Sequence, residues 1–122
     1  MGLEKSPLLI TLKMPPSVNS LYRSIGKRSI LSKEGRIWYE YSIPEIQRQA
    51  GGWTCESSVS LTVCLTFPDR RRCDISNRIK ALEDAITKAG VWTDDCLVDE
   101  LIIRRHPVSK SSSGASVIIQ PL

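Results

Sequence analysis

The chain is poor in the residues that build zinc sites and disulfide frameworks. It has a single histidine, His106, and four cysteines, none of which form a Cys-x-x-Cys pair. Zinc centres draw on cysteine and histidine at short fixed spacings, so this pattern argues against a zinc site. Free thiols of this kind are typical of a reducing compartment, and we expect the protein to be cytoplasmic.

Long apolar runs are also lacking. No stretch reaches the roughly 18 consecutive apolar residues that a membrane span needs, and the N-terminus does not show the charged and then apolar order of a secretory signal. No internal repeat is visible. We therefore expect no membrane partner and no nucleotide cofactor, and a length of 122 residues fits a single domain over residues 1–122.

Positive charge is what the chain has in excess, with a formal net charge of +4 at pH 7. The excess is modest, but it is clustered at Lys27-Arg28, Arg70-Arg71-Arg72 and Arg104-Arg105. A single basic pair is as well explained by a solvated surface. Three consecutive arginines beside acidic residues favour a polyanion partner, and nucleic acid in particular.

Hydrophobic periodicity predicts a small α+β domain with the order β-α-β-α-β-β, in which two helices pack on a mixed sheet. The segment Pro15–Arg28 is loop-like, and the serine-rich turn Ser109–Gly114 is expected to join the last two strands as a hairpin. The predicted strands are Leu8–Lys13, Val59–Phe67, Leu97–Arg105 and Ala115–Gln120, and the predicted helices are Ser32–Arg48 and Ser76–Ala89.

Capping residues mark the ends of both predicted helices. Ser32 is a suitable N-cap for the first helix, Pro44 should kink or interrupt it, and Gly51-Gly52 ends it. Ser76 is a suitable N-cap for the second helix, and Gly90 closes it.

The second helix carries a compact polar face and is followed by an acidic pair, Asp94-Asp95. A helix of 14 residues spans about 21 Å, so Asp95 can approach Asp74 only if the chain crosses over or the helix is shorter. Taken alone, the face is equally a solvated surface with a weak ion pair at a spacing of four. Its members are Asp74, Asn77, Lys80, Ala81 and Asp84.

These motifs, in this order, resemble the core of the RusA-type Holliday-junction resolvases, and the similarity spans nearly the whole chain. The family pattern is similar to D-R-R-R-x-D-x-D-N-x-x-K, then K-A-G-x-W, then D-D. The matching segments here are Asp69-Arg70-Arg71-Arg72, Asp74, Asn77, Lys80, Lys88-Ala89-Gly90, Trp92, Asp94-Asp95, Pro15-Pro16-Ser17-Val18-Asn19, Leu21-Tyr22-Arg23 and Ser32-Lys33-Glu34-Gly35.

The resemblance implies a magnesium-dependent homodimeric endonuclease, with manganese as the other candidate metal, that cuts four-way DNA junctions during recombination and repair. It makes Asp74 and Asp95 metal-binding catalytic carboxylates, with Asp94 as a further metal ligand, and Lys80 the catalytic lysine. The residues that it implies at the DNA interface are Arg70, Arg71, Arg72, Asn77, Lys80, Asn19 and Arg23.

The chain departs from the family pattern at Ser76, where the pattern has a second acid. A serine hydroxyl can ligate or position a metal-bound water, but it brings no negative charge. Two hypotheses follow: an active resolvase, or a protein that binds junctions or branched DNA with weakened or no cleavage. A third, from a different class, is a small adaptor domain whose basic face binds protein.

Overall fold

Four strands form one sheet and two strands form a separate hairpin in the computed structural model, which describes residues 5–122. The strands are β1 Leu8–Leu12, β2 Tyr22–Ile25, β3 Arg28–Leu31, β4 Val59–Thr66, β5 Val98–Arg105 and β6 Gly114–Pro121. The helices are α1 Val18–Leu21, α2 Lys33–Ala50 and α3 Ile79–Lys88, and short 3₁₀ turns occupy Ser76–Arg78 and Asp95–Leu97.

The main sheet has the order β1-β6-β4-β5. Strand β4 runs parallel to β5 and antiparallel to β6, which in turn is antiparallel to β1. The prediction of a mixed sheet in an α+β fold is confirmed. The predicted hairpin of the last two strands is wrong, because β4 lies between β5 and β6. The connection from β4 to β5 is instead a parallel crossover, and α3 provides it.

The core lies on one face of this sheet. Val59, Leu61, Val63 and Leu65 alternate along β4 and are fully buried, as their period of two requires. Helices α2 and α3 pack against each other, and the indole N–H of Trp38 on α2 donates a 3.0 Å hydrogen bond to the carbonyl oxygen of Ala81 on α3.

Helix α2 begins as predicted. The backbone N–H of Gly35 donates to the Ser32 hydroxyl oxygen at 3.0 Å, so Ser32 is the N-cap. The interruption predicted at Pro44 is wrong, since the helix is continuous from Lys33 to Ala50. Pro44 leaves the carbonyl oxygen of Glu40 without its helical donor, and both residues are exposed, so water can solvate that oxygen.

Helix α3 is shorter than predicted and begins at Ile79. Ser76 opens the preceding 3₁₀ turn and is not the N-cap of the α-helix. The predicted end is confirmed: Gly90 has a φ of 83°, its N–H donates to Thr87, and the next N–H donates to Ile86. Ala81 is fully buried against α2, so its assignment to the polar face is wrong.

The segment predicted as a loop from Pro15 to Arg28 contains a β-hairpin. Strands β2 and β3 pair antiparallel, with Tyr22 opposite Leu31 and Ile25 opposite Arg28, and Gly26 adopts a φ of 61° in the turn. Every residue of β2 is exposed, so the hairpin lacks the alternation by which a strand is predicted. Within residues 5–122, no helix is both long and apolar enough to cross a membrane.

Candidate active site

The polar face of α3 presents a lysine held between carboxylates. The Lys80 ammonium nitrogen lies 3.3 Å from Asp84 Oδ1, one helical turn away. Asp84 Oδ2 also accepts a 3.4 Å hydrogen bond from the Tyr39 hydroxyl on α2. The Asp84 carboxylate therefore fixes the lysine and at the same time joins the two helices.

The chain after α3 folds back along the helix and brings Asp95 towards Lys80. Val91 and Trp92 are buried, and the Trp92 indole N–H donates to the Thr87 hydroxyl oxygen at 2.6 Å. The Cys55 N–H donates to the Val91 carbonyl oxygen at 2.9 Å, which fixes this return on a second side. A ten-residue helix spans only about 15 Å, so the return places Asp95 beside α3.

Electrostatic effects show which groups the return brings together. The pKa of Asp95 is raised by its hydrogen bond with Asp94, by partial burial, and by repulsion from Asp94 and Asp84. The pKa of Glu83 is raised by burial first and then by the negative charges of Asp95 and Asp84. We call Glu83, Asp84, Asp94 and Asp95 the carboxylate cluster. Its charges repel one another, which favours an added cation.

Two members of the site keep their ordinary charged forms. The pKa of Lys80 is raised by its hydrogen bond to Asp84 and by the negative charge of that carboxylate, so the ammonium is protonated at neutral pH. The pKa of Asp94 is lowered because its carboxylate accepts a hydrogen bond from the Cys96 backbone N–H at 3.0 Å. Asp94 is thereby held as a carboxylate next to Asp95.

Asp74 lies apart from these contacts. It is exposed, it precedes the 3₁₀ turn Ser76–Arg78, and its Oδ2 accepts a 3.3 Å hydrogen bond from the Asn77 side-chain amide. Asp84 is among the groups that shift the pKa values of both Lys80 and Asp95, and Asp74 is not among them. The structure thus gathers Lys80, Asp94 and Asp95 of the predicted site residues and leaves Asp74 on the neighbouring turn.

The carboxylate cluster suits a magnesium ion in the chemistry of its donors. Magnesium takes hard oxygen ligands, and proteins usually hold it through one or two carboxylates with water completing its shell. The adjacent carboxylates of Asp94 and Asp95 are donors of the kind that magnesium takes, and a bound cation would offset their repulsion. Over the described residues, no three acidic, histidine or cysteine groups converge as ready-made metal ligands. A bound ion would therefore draw most of its shell from water and phosphate.

The predicted DNA-contacting residues are exposed apart from Asn77, which is half-buried. Arg70, Arg71 and Arg72 lie in the extended link between β4 and the 3₁₀ turn, where the Arg71 guanidinium lies 3.4 Å from Asp69. The backbone of this link is fixed by the Arg105 guanidinium, which donates to the Cys73 carbonyl oxygen. The arginine side chains are therefore presented to solvent from an anchored segment.

The remaining polar positions come from the first part of the chain. Asn19 is exposed on α1 and Arg23 is exposed on β2. The adjacent Tyr22 contributes to the raised pKa values of Tyr39 and Lys80, which places the start of the hairpin beside the lysine. The hairpin β2–β3 therefore stands next to the carboxylate cluster.

Sequence reasoning missed Glu83, Tyr22 and Tyr39 as members of the site. Glu83 lies three residues after Lys80, a spacing that brings side chains together on a helix and is the signal that was available. The two tyrosines gave no such signal, because their approach to α3 depends on how α2 and the hairpin pack.

Comparison with known proteins identifies the family of this chain. The family described as Endodeoxyribonuclease RusA matches residues 13–120. The chain is 37% identical over 101 residues to the protein named Crossover junction endodeoxyribonuclease RusA from Shigella sonnei (strain Ss046), and equally to those from Escherichia coli (strain K12) and Enterobacteria phage 82. Each alignment covers 83% of this chain and 84% of the relative. The chain belongs to the RusA family of endodeoxyribonucleases.

Proposed function

We propose that the protein is a magnesium-dependent endonuclease that cleaves four-way DNA junctions in recombination and repair. The observation that carries the proposal is the return of Asp95 onto the face of α3 that holds Lys80 and Asp84. Metal-dependent phosphodiester hydrolysis uses carboxylates that bind a cation and a positive charge that is fixed near the phosphate. The carboxylate cluster and the Lys80 ammonium provide these two elements. Membership of the RusA family, and the printed names of the relatives, support the substrate.

Each side chain has a distinct proposed role. Asp95 and Asp94 would hold the metal, with Asp74 on the neighbouring turn as the further carboxylate. When bound there, magnesium supplies Lewis-acid stabilisation of phosphate charge and lowers the pKa of a coordinated water. Lys80 donates to the phosphate oxygen on which negative charge develops, and Asp84 holds the ammonium in place.

The basic segment provides affinity rather than sequence selection. Arg70, Arg71 and Arg72 neutralise phosphates along the junction arms, and Asn77, Asn19 and Arg23 add contacts around the site. Contacts of this kind position the protein on the DNA without reading bases. Recognition would then rest on the shape of the junction.

We propose a homodimer because two symmetrical cuts call for two symmetrically placed sites. Four-way junctions have near two-fold symmetry, and most soluble homodimers have a two-fold axis. Each subunit would then place its active site at one of the two opposing DNA strands that are cut. Sedimentation of the free protein, and of its complex with one junction, would measure both stoichiometries.

The test is cleavage of a synthetic four-way junction in the presence of magnesium, with manganese and calcium in parallel reactions. We expect paired symmetrical cuts with magnesium or manganese, and a loss of at least about 100-fold in rate for Lys80→Met, which removes the ammonium. Lys33→Met, at an exposed position in the first turn of α2, is the matched control and should cleave normally. Tight binding with no cutting under any metal would refute catalysis and leave junction binding standing.

A junction-binding protein with little or no turnover is the second candidate, and Ser76 favours it. Ser76 is exposed at the start of the 3₁₀ turn, two residues from Asp74, and it supplies no negative charge where the family pattern has an acid. If this position limits cleavage, Ser76→Asp should raise the rate by orders of magnitude. Ser57→Asp, an exposed serine before β4, should not change it. Equal rates for both variants would show that position 76 does not limit cleavage.

A further inference from the structure

An apolar groove lies between α2 and the segment that follows β1, and it has no part in the proposed chemistry. Its volume is about 420 Å³, within the range of pockets that take small organic groups. Two aromatic side chains of α2 line it, with ring centroids 5.8 Å apart and ring planes tilted by 49°. The lining residues are Lys13, Met14, Pro16, Glu34, Ile37, Trp38, Tyr41 and Arg78.

The charges at the groove favour an anionic ligand with an apolar part. Lys13 and Arg78 are cationic, and Glu34 is the acid of the lining. The Lys13 ammonium lies 4.8 Å from the centroid of the Tyr41 ring, and the Lys13 backbone N–H donates to the Tyr41 hydroxyl oxygen at 2.9 Å. An apolar groove lined by aromatic rings and cations suits a nucleobase with its phosphate.

Arg78 is the lining residue of the groove that lies nearest in sequence to Lys80. One of its terminal nitrogens donates to the Pro15 carbonyl oxygen at 3.0 Å, and its guanidinium carbon lies 5.7 Å from the centroid of the Phe67 ring. Its Nε is buried without a hydrogen-bond partner among residues 5–122. Arg78 ends the 3₁₀ turn two residues before Lys80, so one short segment of the chain carries both a groove residue and the active-site lysine.

We propose that the groove accepts one unpaired nucleobase of the DNA strand, with the adjoining phosphate bound by Lys13 and Arg78. The proposal rests on the proposed function and names a second contact for the same substrate. Four-way junctions expose weakly stacked bases at the crossover, where an unpaired base costs least to extract. Stacking against an aromatic and aliphatic surface is tolerant of base identity, which agrees with recognition by shape.

The experiment compares two single-stranded probes of equal charge, a thymidine hexamer and a hexamer of abasic deoxyribose phosphates, with EDTA present. We expect the wild-type protein to bind the thymidine hexamer about 5-fold or more tightly than the abasic hexamer, since stacking contributes to the first alone. Dividing the two dissociation constants cancels the phosphate contacts, so the ratio reports bases only.

Three variants locate the effect. Ile37 lines the groove and is 54% exposed, so Ile37→Glu should fold normally and lower the ratio to about 1. Leu122→Glu adds the same charge at a residue that is 66% exposed at the far end of β4, and should keep the wild-type ratio. Ile37→Phe retains an apolar surface and should also keep it.

The outcomes separate this proposal from the proposed function. A wild-type ratio of 1, or the same fall in ratio for Ile37→Glu and Leu122→Glu, would overturn the groove even if the protein cleaves junctions. A ratio above 5 that only Ile37→Glu abolishes would support the groove even if no junction is cut. Failure to bind either hexamer overturns the proposal, and an apolar anionic peptide then becomes the ligand to test.

Discussion

Replacing Asp95 by asparagine removes one negative charge from the carboxylate cluster without changing the size of the side chain. In the wild-type fold, the hydrogen bond with Asp94, partial burial and the charges of Asp94 and Asp84 raise the pKa of Asp95. Burial and the charge of Asp95 raise the pKa of Glu83. The positive charge of Lys80 opposes the rise at Asp95. We therefore expect Asp95→Asn to abolish metal-dependent cleavage and at the same time to stabilise the metal-free protein.

The size of the gain follows from the balance of these charges. Two unit charges about 5–10 Å apart in water interact by about 0.4–0.8 kcal/mol. Three carboxylates repel Asp95 and one ammonium attracts it, which leaves a net repulsion of two such interactions. Because this surface is partly exposed and screened by salt, we expect a gain of about 0.5 kcal/mol. For a domain of this size that is a rise in Tm of about 2 °C.

The pH dependence of this gain in stability gives a second test. When folding raises the pKa of a carboxyl group, the protonated form stabilises the fold relative to the ionised form. This contribution to stability is full below the unfolded pKa and is lost as pH rises through the folded pKa. The gain from Asp95→Asn should therefore be present at pH 7–8 and vanish near pH 3, where the wild-type carboxyl is protonated. Calorimetry of both proteins in EDTA at the two pH values measures the difference.

Asp99→Asn is the matched control. Asp99 is exposed on β5, and the substitution makes the same change in net charge. It should leave cleavage intact and should not reproduce the rise in Tm. Added magnesium should raise the Tm of the wild type and of Asp99→Asn more than that of Asp95→Asn, because a ligand stabilises the state that binds it. If Asp95→Asn lowered the Tm in EDTA, or kept wild-type cleavage, the reasoning from mutual repulsion would be refuted.

Three further outcomes are expected. At limiting magnesium, the cleavage rate should rise with pH through a range above the ordinary carboxyl pKa, because Asp95 and Glu83 must lose protons that compete with the metal. When pH–rate profiles are measured at higher magnesium concentrations, this rise should move to lower pH. Arg71→Gln should reduce the salt dependence of junction binding by about one phosphate contact, whereas Arg48→Gln should not, as fluorescence anisotropy at several salt concentrations would show. Trp38→Phe should lower unfolding free energy by about 1 kcal/mol in urea titrations, through loss of its indole hydrogen bond.

The sequence predicts those parts of the fold that depend on local chemistry. The Ser32 cap, the end of α3 at Gly90 and the alternation along Val59–Thr66 each follow from a few neighbouring residues, and the structure has them. The order of strands does not follow in this way. Alternation says which face of β4 is buried but not which strands flank it, so the insertion of β4 between β5 and β6 was not predictable from pattern.

For the site, too, contacts between residues that are close in sequence were predictable, and contacts that depend on tertiary packing were not. Lys80 and Asp84 were predictable as neighbours because they lie one turn apart on a helix. The approach of Asp95 was not, because it depends on Val91 and Trp92 packing back against residues of other elements. A Trp after a helix-ending glycine signals a buried return, but only the tertiary structure fixes its direction.

The place of Ser76 in the structure changes what its substitution can be expected to do. The carboxylates that repel one another lie on α3 and at Asp95, and Ser76 stands at the start of the preceding turn, near Asp74. An acid at position 76 would therefore strengthen the side of the site that has only one carboxylate. If the proposed metal is bound with Asp74 among its ligands, the added charge would raise affinity for it and would add repulsion when no cation is bound. Serine at this position is thus expected to weaken metal binding and to stabilise the metal-free fold. Ser76→Asp should therefore lower the Tm in EDTA and should also lower the magnesium concentration needed for cleavage.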